Sequence, residues 1–410
     1  MAGDSSMLSV SQNVLTINGG SSSIKFALYQ TGVAMQRRLS GKIDRVGLSG
    51  TTLIFDDADQ DRQESFGIEA ADHSSAVNFL IDWLEQQVGF THVTAIGHRV
   101  VHGMHHSQPE RITRSLLDEL NRIRFYDPDH LPIEIELIEA FGKRYPELQQ
   151  VACFDTAFHH TLPRVARLLP IPRRFDAIGI QRYGFHGLSY AYLMQELEHI
   201  AGTKAAQGRV ILAHLGNGAS LAAVRNGQSI DTSMGFTPAG GLTMGTRPGD
   251  LDPGVAWYLM QSENLTPPQF NRIINHESGL LGVSETSADM RDLMEREAND
   301  VRAAEAVALF CYQVKKWIGA YAAVLGGLDT LVFTGGVGEN AATVRARICD
   351  GLAFLGIAIE EKSNVTNTGV ISVPASRVTV RVMHTDEEVM IVKSVCQLLN
   401  MPVKKDGIAS

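Results

Sequence analysis

Two apolar runs, each interrupted by a tight glycine turn, constrain this chain more than any other feature. Residues 14–17 (VLTI) lead into Asn18, Gly19, Gly20, Ser21, Ser22 and Ser23, and apolar alternation resumes over 24–29. Such a pattern reads as a β-hairpin with a small, hydroxyl-rich tip. Residues 210–232 repeat it: 210–213 (VILA) run into His214, Leu215, Gly216, Asn217, Gly218, Ala219 and Ser220, and a second turn falls at Asn226 and Gly227. A chain whose halves open alike predicts two related domains. The segments between them carry helical periodicity, over 115–124 and again from Pro132, where Ile133, Leu137, Ile138 and Phe141 recur. Strands alternating with such helices specify an α/β protein. Further on, the stripe from Ala303 to Leu325, stopped by Gly326 and Gly327, predicts a long core helix. Residues 331–333 then read as a buried strand, 334–340 as a loop, and Val344, Ile348 and Leu352 as one face of a helix.

Composition narrows the function. The 410 residues are 44% hydrophobic, which suits a folded chain of two or three domains. With 36 basic against 45 acidic residues the net charge is -9, so the chain has no general attraction for nucleic acid or an anionic membrane. Residues 1–13 lack the basic start and apolar run of a secretory signal, which predicts a cytoplasmic protein. The most membrane-like stretch, 317–333, is interrupted by Gly326, Gly327 and Asp329 and is too short to span a bilayer. Cys153, Cys311, Cys349 and Cys396 have neither disulfide nor zinc spacing and read as reduced thiols.

Chemistry concentrates at the glycine turns. The chain has neither a P-loop nor a dinucleotide fingerprint, so a phosphate site would be built from hairpins, whose bare backbone N–H groups form an anion nest. Asn18 and Lys25 flank the first tip, Lys25 adding positive charge from the strand, and Asn217 sits in the second. Arg99 and Arg247 each lie between glycines in an apolar setting, where a guanidinium fork is expected to hold a carboxylate or phosphate. Asp155 follows an apolar strand end and could organise Mg2+, or cap a helix; His186 lies on a glycine-framed turn. His98, His102, His105 and His106 superficially suggest a transition metal, but no second cluster with matching acids completes a site.

These motifs together resemble the acetate kinase family, also called acetate and propionate kinases, over essentially the whole chain. The carrying segments are 18–25 (NGGSSSIK), 97–103 (GHRVVHG), 154–159 (FDTAFH), 182–187 (RYGFHG), 214–220 (HLGNGAS), 231–238 (DTSMGFTP), 245–247 (GTR), 334–340 (TGGVGEN) and 385–388 (TDEE). The resemblance implies the duplicated fold of actin, sugar kinases and chaperone ATPases (ribonuclease H-like), with a nucleotide cleft between domains of 12–153 plus about 389–405 and of 154–388. It implies a homodimer that transfers phosphate reversibly from ATP to acetate or propionate, with Mg2+ as cofactor. By the same resemblance Lys25 belongs to the phosphate-1 hairpin, and His214, Gly216, Asn217 and Gly218 to the phosphate-2 hairpin. Asp289, Met290 and Arg291, with Gly335, Gly336, Gly338, Glu339 and Asn340, would hold the adenosine. Asn18, Asp155 and Glu387 would order Mg2+ and phosphate, Glu387 in preference to Glu388. Arg99, Arg247 and His186 would act on the carboxylate and the moving phosphoryl group, and Val101, Phe185 and Pro238 would wall an alkyl pocket. A carboxylate acceptor is already ionised at neutral pH and needs no base, so positioning and charge neutralisation are the catalytic problem.

One segment departs from the pattern. Phe125, Tyr126, Asp127 and Pro128 stand where the family has Leu-His-Asn-Pro, so an expected histidine donor is a tyrosine. Loss of such a donor costs about 2.7 to 4 kcal/mol unless it is replaced, by Tyr126 itself or by nearby His130. Tyr126 and Asp127 leave open a kinase of a longer or hydroxylated acid, and the fold shared with chaperone ATPases leaves open a nucleotide-driven interaction protein.

Overall fold

The computed structural model describes residues 12–402 apart from 21, 33, 34 and 48; Ser21 of the first hairpin tip therefore lies outside the described residues. The chain divides into two compact units, Phe158–Asp386 and the remainder on either side of it.

In the first unit, β1 (Gln12–Gly19), β2 (Ser23–Thr31) and β3 (Gln36–Asp44) form an antiparallel meander, extended by the hairpin β4 (Thr52–Asp57) and β5 (Arg62–Gly67). On the other side of β1 lie β6 (Val93–Val100) and β8 (Gln149–Phe154), both parallel, with β7 (Glu110–Arg111) as a short antiparallel edge. Val14, Leu15, Thr16 and Ile17 of β1 are all buried, as expected of a strand covered on both faces. The helices Leu131–Arg144 and Glu387–Leu399 pack against this sheet.

The second unit repeats the kernel. The strands β9 (Arg209–Leu215), β10 (Ala219–Arg225) and β11 (Gln228–Thr232) form an antiparallel meander, and β12 (Thr330–Thr334) and β13 (Thr379–Val382) add to β9 in parallel. The order β11-β10-β9-β12-β13 matches β3-β2-β1-β6-β8 strand for strand in sequence and direction. The duplication inferred from two hairpins is therefore a duplication of whole sheets. The long helix Val301–Leu325 covers the second sheet with Ala303, Val307, Phe310, Val314 and Ile318 buried, and closes at Gly326.

Two local expectations change. Residues 335–340 are not a loop: β12 passes directly into the helix Gly335–Asn340. This start needs φ of +78° at residue 335, where a β-carbon would stand 2.7 Å from the Leu215 carbonyl oxygen, so glycine serves the entry into the helix. The next helix is Ala342–Cys349, which carries Val344 and Ile348 but ends before Leu352. Successive short helices carry no clear apolar period, and the glycines masked the first.

Within each sheet the polar residues gather at the carboxyl ends of the parallel strands, the end at which open α/β sheets bind ligands. The β1–β6 register sets Ile17 beside His98, and the β6–β8 register sets Arg99 beside Cys153, so Asn18, Arg99 and Asp155 leave neighbouring strands at nearly the same level. In the second sheet His214 pairs in register with Thr334.

Candidate functional site

In the first unit the arginine at the end of β6 is the organising charge. Arg99 Nη2 donates to Asp155 Oδ2 at 2.9 Å and Nη1 lies 3.3 Å from Glu134 Oε1. Burial works against the guanidinium charge, but the acids around it, Asp155 foremost, outweigh it and hold Arg99 protonated. Asn18 Nδ2 donates to Glu387 Oε2 at 3.1 Å, which ties the first hairpin to the start of the C-terminal helix. Lys25 is the direct cross-strand partner of Asn18 and is exposed. Val101 is buried, and the Tyr126 ring meets His102 edge-on at 5.9 Å.

Glu134 is the residue that sequence reasoning missed. It is 2% exposed, its Oε2 accepts the Val101 N–H at 2.8 Å, and its carboxyl is pushed up to about 8, chiefly by burial, with Arg99 opposing. Asp155 holds the guanidinium at the shorter distance, so Glu134 is the acid that keeps its proton. The sequence does contain a signal: Leu131, Glu134, Ile138 and Phe141 form one buried helical stripe, and an acid within such a stripe needs a partner.

In the second unit the β9–β10 tip, Arg247 and His186 come together. A β-carbon on Gly218 would lie 2.9 Å from Arg247 Nη2 and 3.4 Å from His186 Nε2, so the bare backbone lets the guanidinium sit directly against the turn. His186 sits at φ 58° just before the helix Gly187–Ala201; its Nδ1 meets Ser220 Oγ at 2.8 Å, and its ring stacks on His214 at 4.2 Å. His214 Nδ1 in turn meets Ser189 Oγ at 2.9 Å. Arg247 Nη1 donates to the Pro238 carbonyl at 2.9 Å, and Phe185 is buried, its carbonyl 3.0 Å from His159 Nε2. The tip is thus bordered by a guanidinium and an imidazole, both suited to phosphoryl oxygens.

A cavity of about 850 Å3 opens beside this tip, within the range of nucleotide-sized pockets. Gly216, Asn217, Asp289, Met290, Arg291, Gly336 and Asn340 all line it, though they come from three separate segments. Gly335, Gly338 and Glu339 do not. Glu339 instead fastens the helix start: Oε1 accepts from Gly335 N–H at 2.9 Å and Thr334 Oγ1 at 3.1 Å, while Oε2 meets His384 at 2.8 Å. Asp289 caps the helix Met290–Arg296 and pairs with Arg291 at 2.9 Å; that bond holds its carboxyl below the usual range. Arg345, fully buried, donates to the Gly338 and Glu339 carbonyls, which precede the cavity-lining Asn340, and to Asn364 and Asn367.

Of the histidines suggestive of a metal, His98 is buried against Gln150 at 2.6 Å, with burial lowering it to about 4, and His102 Nδ1 accepts the Met104 N–H at 3.2 Å. His105 and His106 do have a matching acid, Glu119, which the sequence reading did not find. Among the described residues no helix is long and apolar enough to cross a membrane.

Two sheets of one plan, each with a glycine hairpin and an arginine, and a nucleotide-sized cavity in the second unit define a phosphotransferase of the duplicated actin-like ATPase class. The Acetokinase family model matches residues 13–393. The acetate kinase of Rhodopseudomonas palustris (strain TIE-1) is 42% identical over 395 residues, covering 95% of this chain and 99% of the relative. The propionate kinase of Citrobacter rodentium is 41% identical over 397 residues, covering 95% and 97%. The crystal structure of Porphyromonas gingivalis acetate kinase superposes with a TM-score of 0.82 at 37% identity, over 95% of this chain and all of that one. The chain belongs to the acetokinase family.

Proposed function

We propose that this protein catalyses the ATP-dependent, reversible phosphorylation of acetate or propionate to the acyl phosphate. Family membership over residues 13–393, with relatives of both specificities at about 40% identity, is the observation that carries the reading. Neither the longer or hydroxylated acceptor nor the interaction protein finds support among these relatives.

The residue roles are our assignment. Asn217, Asp289, Arg291, Gly336 and Asn340 line the cavity we assign to adenosine, and Lys25, His214 and Gly218 contribute to the phosphate hairpins. We assign Arg99, with its guanidinium fork, to the acceptor carboxylate, and Val101 and Tyr126 of the first unit and Phe185 and Pro238 of the second to its alkyl group. Arg247 and His186 donate to phosphoryl oxygens as charge spreads over them in the transition state. Reserving Arg99 for one anion and Arg247 for the other lets each reactant be bound by its own cation.

Mg2+ fits the donor set. Asp155, Glu387 and Asn18 offer hard oxygen atoms, and Asp155 with Glu387 leaves negative charge in excess over Arg99. Mg2+ takes one or two carboxylates and completes its shell with water and phosphate, so a closed protein cage is not needed. When bound it would neutralise phosphate charge. The proposal extends to a homodimer, supported by the helix Pro253–Ser262, which buries none of its side chains and leaves Trp257 69% exposed, and to a cytoplasmic setting.

The test is acyl phosphate trapped as hydroxamate, across acids from C2 to C5, with ATP and Mg2+. Turnover highest on acetate or propionate is expected; no product from any acid refutes the function. Analytical ultracentrifugation reads the dimer, and rate against Mg2+ concentration reads the ion.

A further inference from the structure

Outside the proposed catalytic residues, the turn after β6 brings two histidines and an acid to a point. His105 Nδ1 lies 3.6 Å from Glu119 Oε1, and His106 Nε2 lies 3.4 Å from Glu119 Oε2. Donor atoms of all three fall within 4.8 Å of one another. Nitrogen and oxygen ligands at about 2.0–2.2 Å from a tetrahedral ion stand about 3.4 Å apart, so these spacings are those of a ligand set before the ion enters.

The surroundings prepare His106 for that role. Its side chain is only 10% exposed, yet Nε2 is buried without a hydrogen-bond partner. The other nitrogen, Nδ1, meets Glu110 Oε1 at 2.6 Å. A carboxylate on Nδ1 holds the proton there and leaves the Nε2 lone pair unused 3.4 Å from Glu119 Oε2, and a carboxylate on the far nitrogen is the arrangement found behind metal-bound histidines. The ring is fixed by stacking on Phe154 at 5.0 Å, and the turn by the His106 N–H bond to the Gly103 carbonyl at 2.8 Å. Glu119 comes from a different element, the helix Arg114–Ile123. His105 is 72% exposed, which leaves an open side for entry and for water as fourth ligand.

We propose that His105, His106 and Glu119 form a binding site for a divalent transition ion, zinc in particular. Two imidazoles and one carboxylate are a zinc-type set, whereas Mg2+ and Ca2+ take oxygen throughout. The ion joins the turn that follows Arg99 and Val101 to the helix behind it, and it is distinct from the Mg2+ assigned to Asp155 and Glu387.

The test uses the full-length chain, stripped with a chelator and dialysed against Zn2+ in the presence of excess Mg2+, with bound zinc measured by atomic emission and affinity by competition with a chromophoric chelator. One zinc per chain, retained against Mg2+, is expected. His106→Ala and Glu119→Gln should each lower the affinity at least 100-fold, and Glu110→Gln 10- to 100-fold. His92→Ala, an exposed histidine elsewhere in the unit, should change nothing. Glu119→Gln keeps the side-chain shape, and circular dichroism verifies folding of each variant. Absence of zinc from the wild type, meaning an ion pair only, overturns the proposal, as does zinc bound equally by the Glu119→Gln and His106→Ala chains.

Discussion

Glu134→Gln separates two descriptions of the buried acid beneath Arg99. In the folded chain this carboxyl titrates at about 8, against 4.5 for an ordinary glutamate, with burial as the main cause. Its folded value lies above its unfolded one, so between pH 4.5 and about 8 the folded chain holds a proton that the unfolded chain has released. The stability linked to this group is therefore fully present at the acid end of that window, falls as pH rises through it, and levels off above. One group contributes a slope of at most roughly 1.4 kcal/mol per pH unit. Glutamine copies the neutral form in shape and still accepts the Val101 N–H. Below about pH 4.5 the variant should match the wild type to within about 1 kcal/mol, and because it loses that slope it should be the more stable of the two by roughly 2 kcal/mol near pH 6. Glu134→Leu orphans the Val101 donor instead and should be less stable than Glu134→Gln by about 1–3 kcal/mol at every pH. Urea unfolding of the metal-free protein across a pH series measures all three. The reasoning fails if Glu134→Gln loses the roughly 3–5 kcal/mol of a broken buried ion pair near pH 6, or if it retains the wild-type slope.

Arg247→Ala should reduce kcat by about 10²–10³ with an unchanged melting curve, read by the hydroxamate assay; unaltered turnover removes the arginine from the reaction. Gly218→Ala places a methyl 2.9 Å from Arg247 Nη2, so the guanidinium must shift, and activity should fall while stability changes by less than about 1 kcal/mol. Arg345→Met removes the donor to the Gly338 and Glu339 carbonyls, next to the cavity-lining Asn340. It should destabilise by about 3 kcal/mol or more in urea unfolding and raise the KM for ATP.

The chain's local chemistry made much of this legible. The two hairpins, the core helix Val301–Leu325 and the buried β12 each follow from period and turn residues within one short window. Arg99, Asp155, His186 and Arg247 stood out because charged groups between glycines and apolar residues have no solvent to satisfy them. Glu134, Arg345 and Glu119 did not stand out in the same way. Each sits in a helix whose pattern reads as ordinary, and each has partners outside its own helix, Val101, Asn364 and His106 among them.

The sequence by itself determined which residues turn, which strands are buried, and that the plan occurs twice, because backbone geometry and apolar period act over a few neighbours. Only the tertiary structure decided which charges share a guanidinium, which segments enclose the cavity, and which acid faces two histidines. Those pairings depend on strand register and on the level at which each strand ends, and both are set by how the sheets and helices pack, not by spacing along the chain.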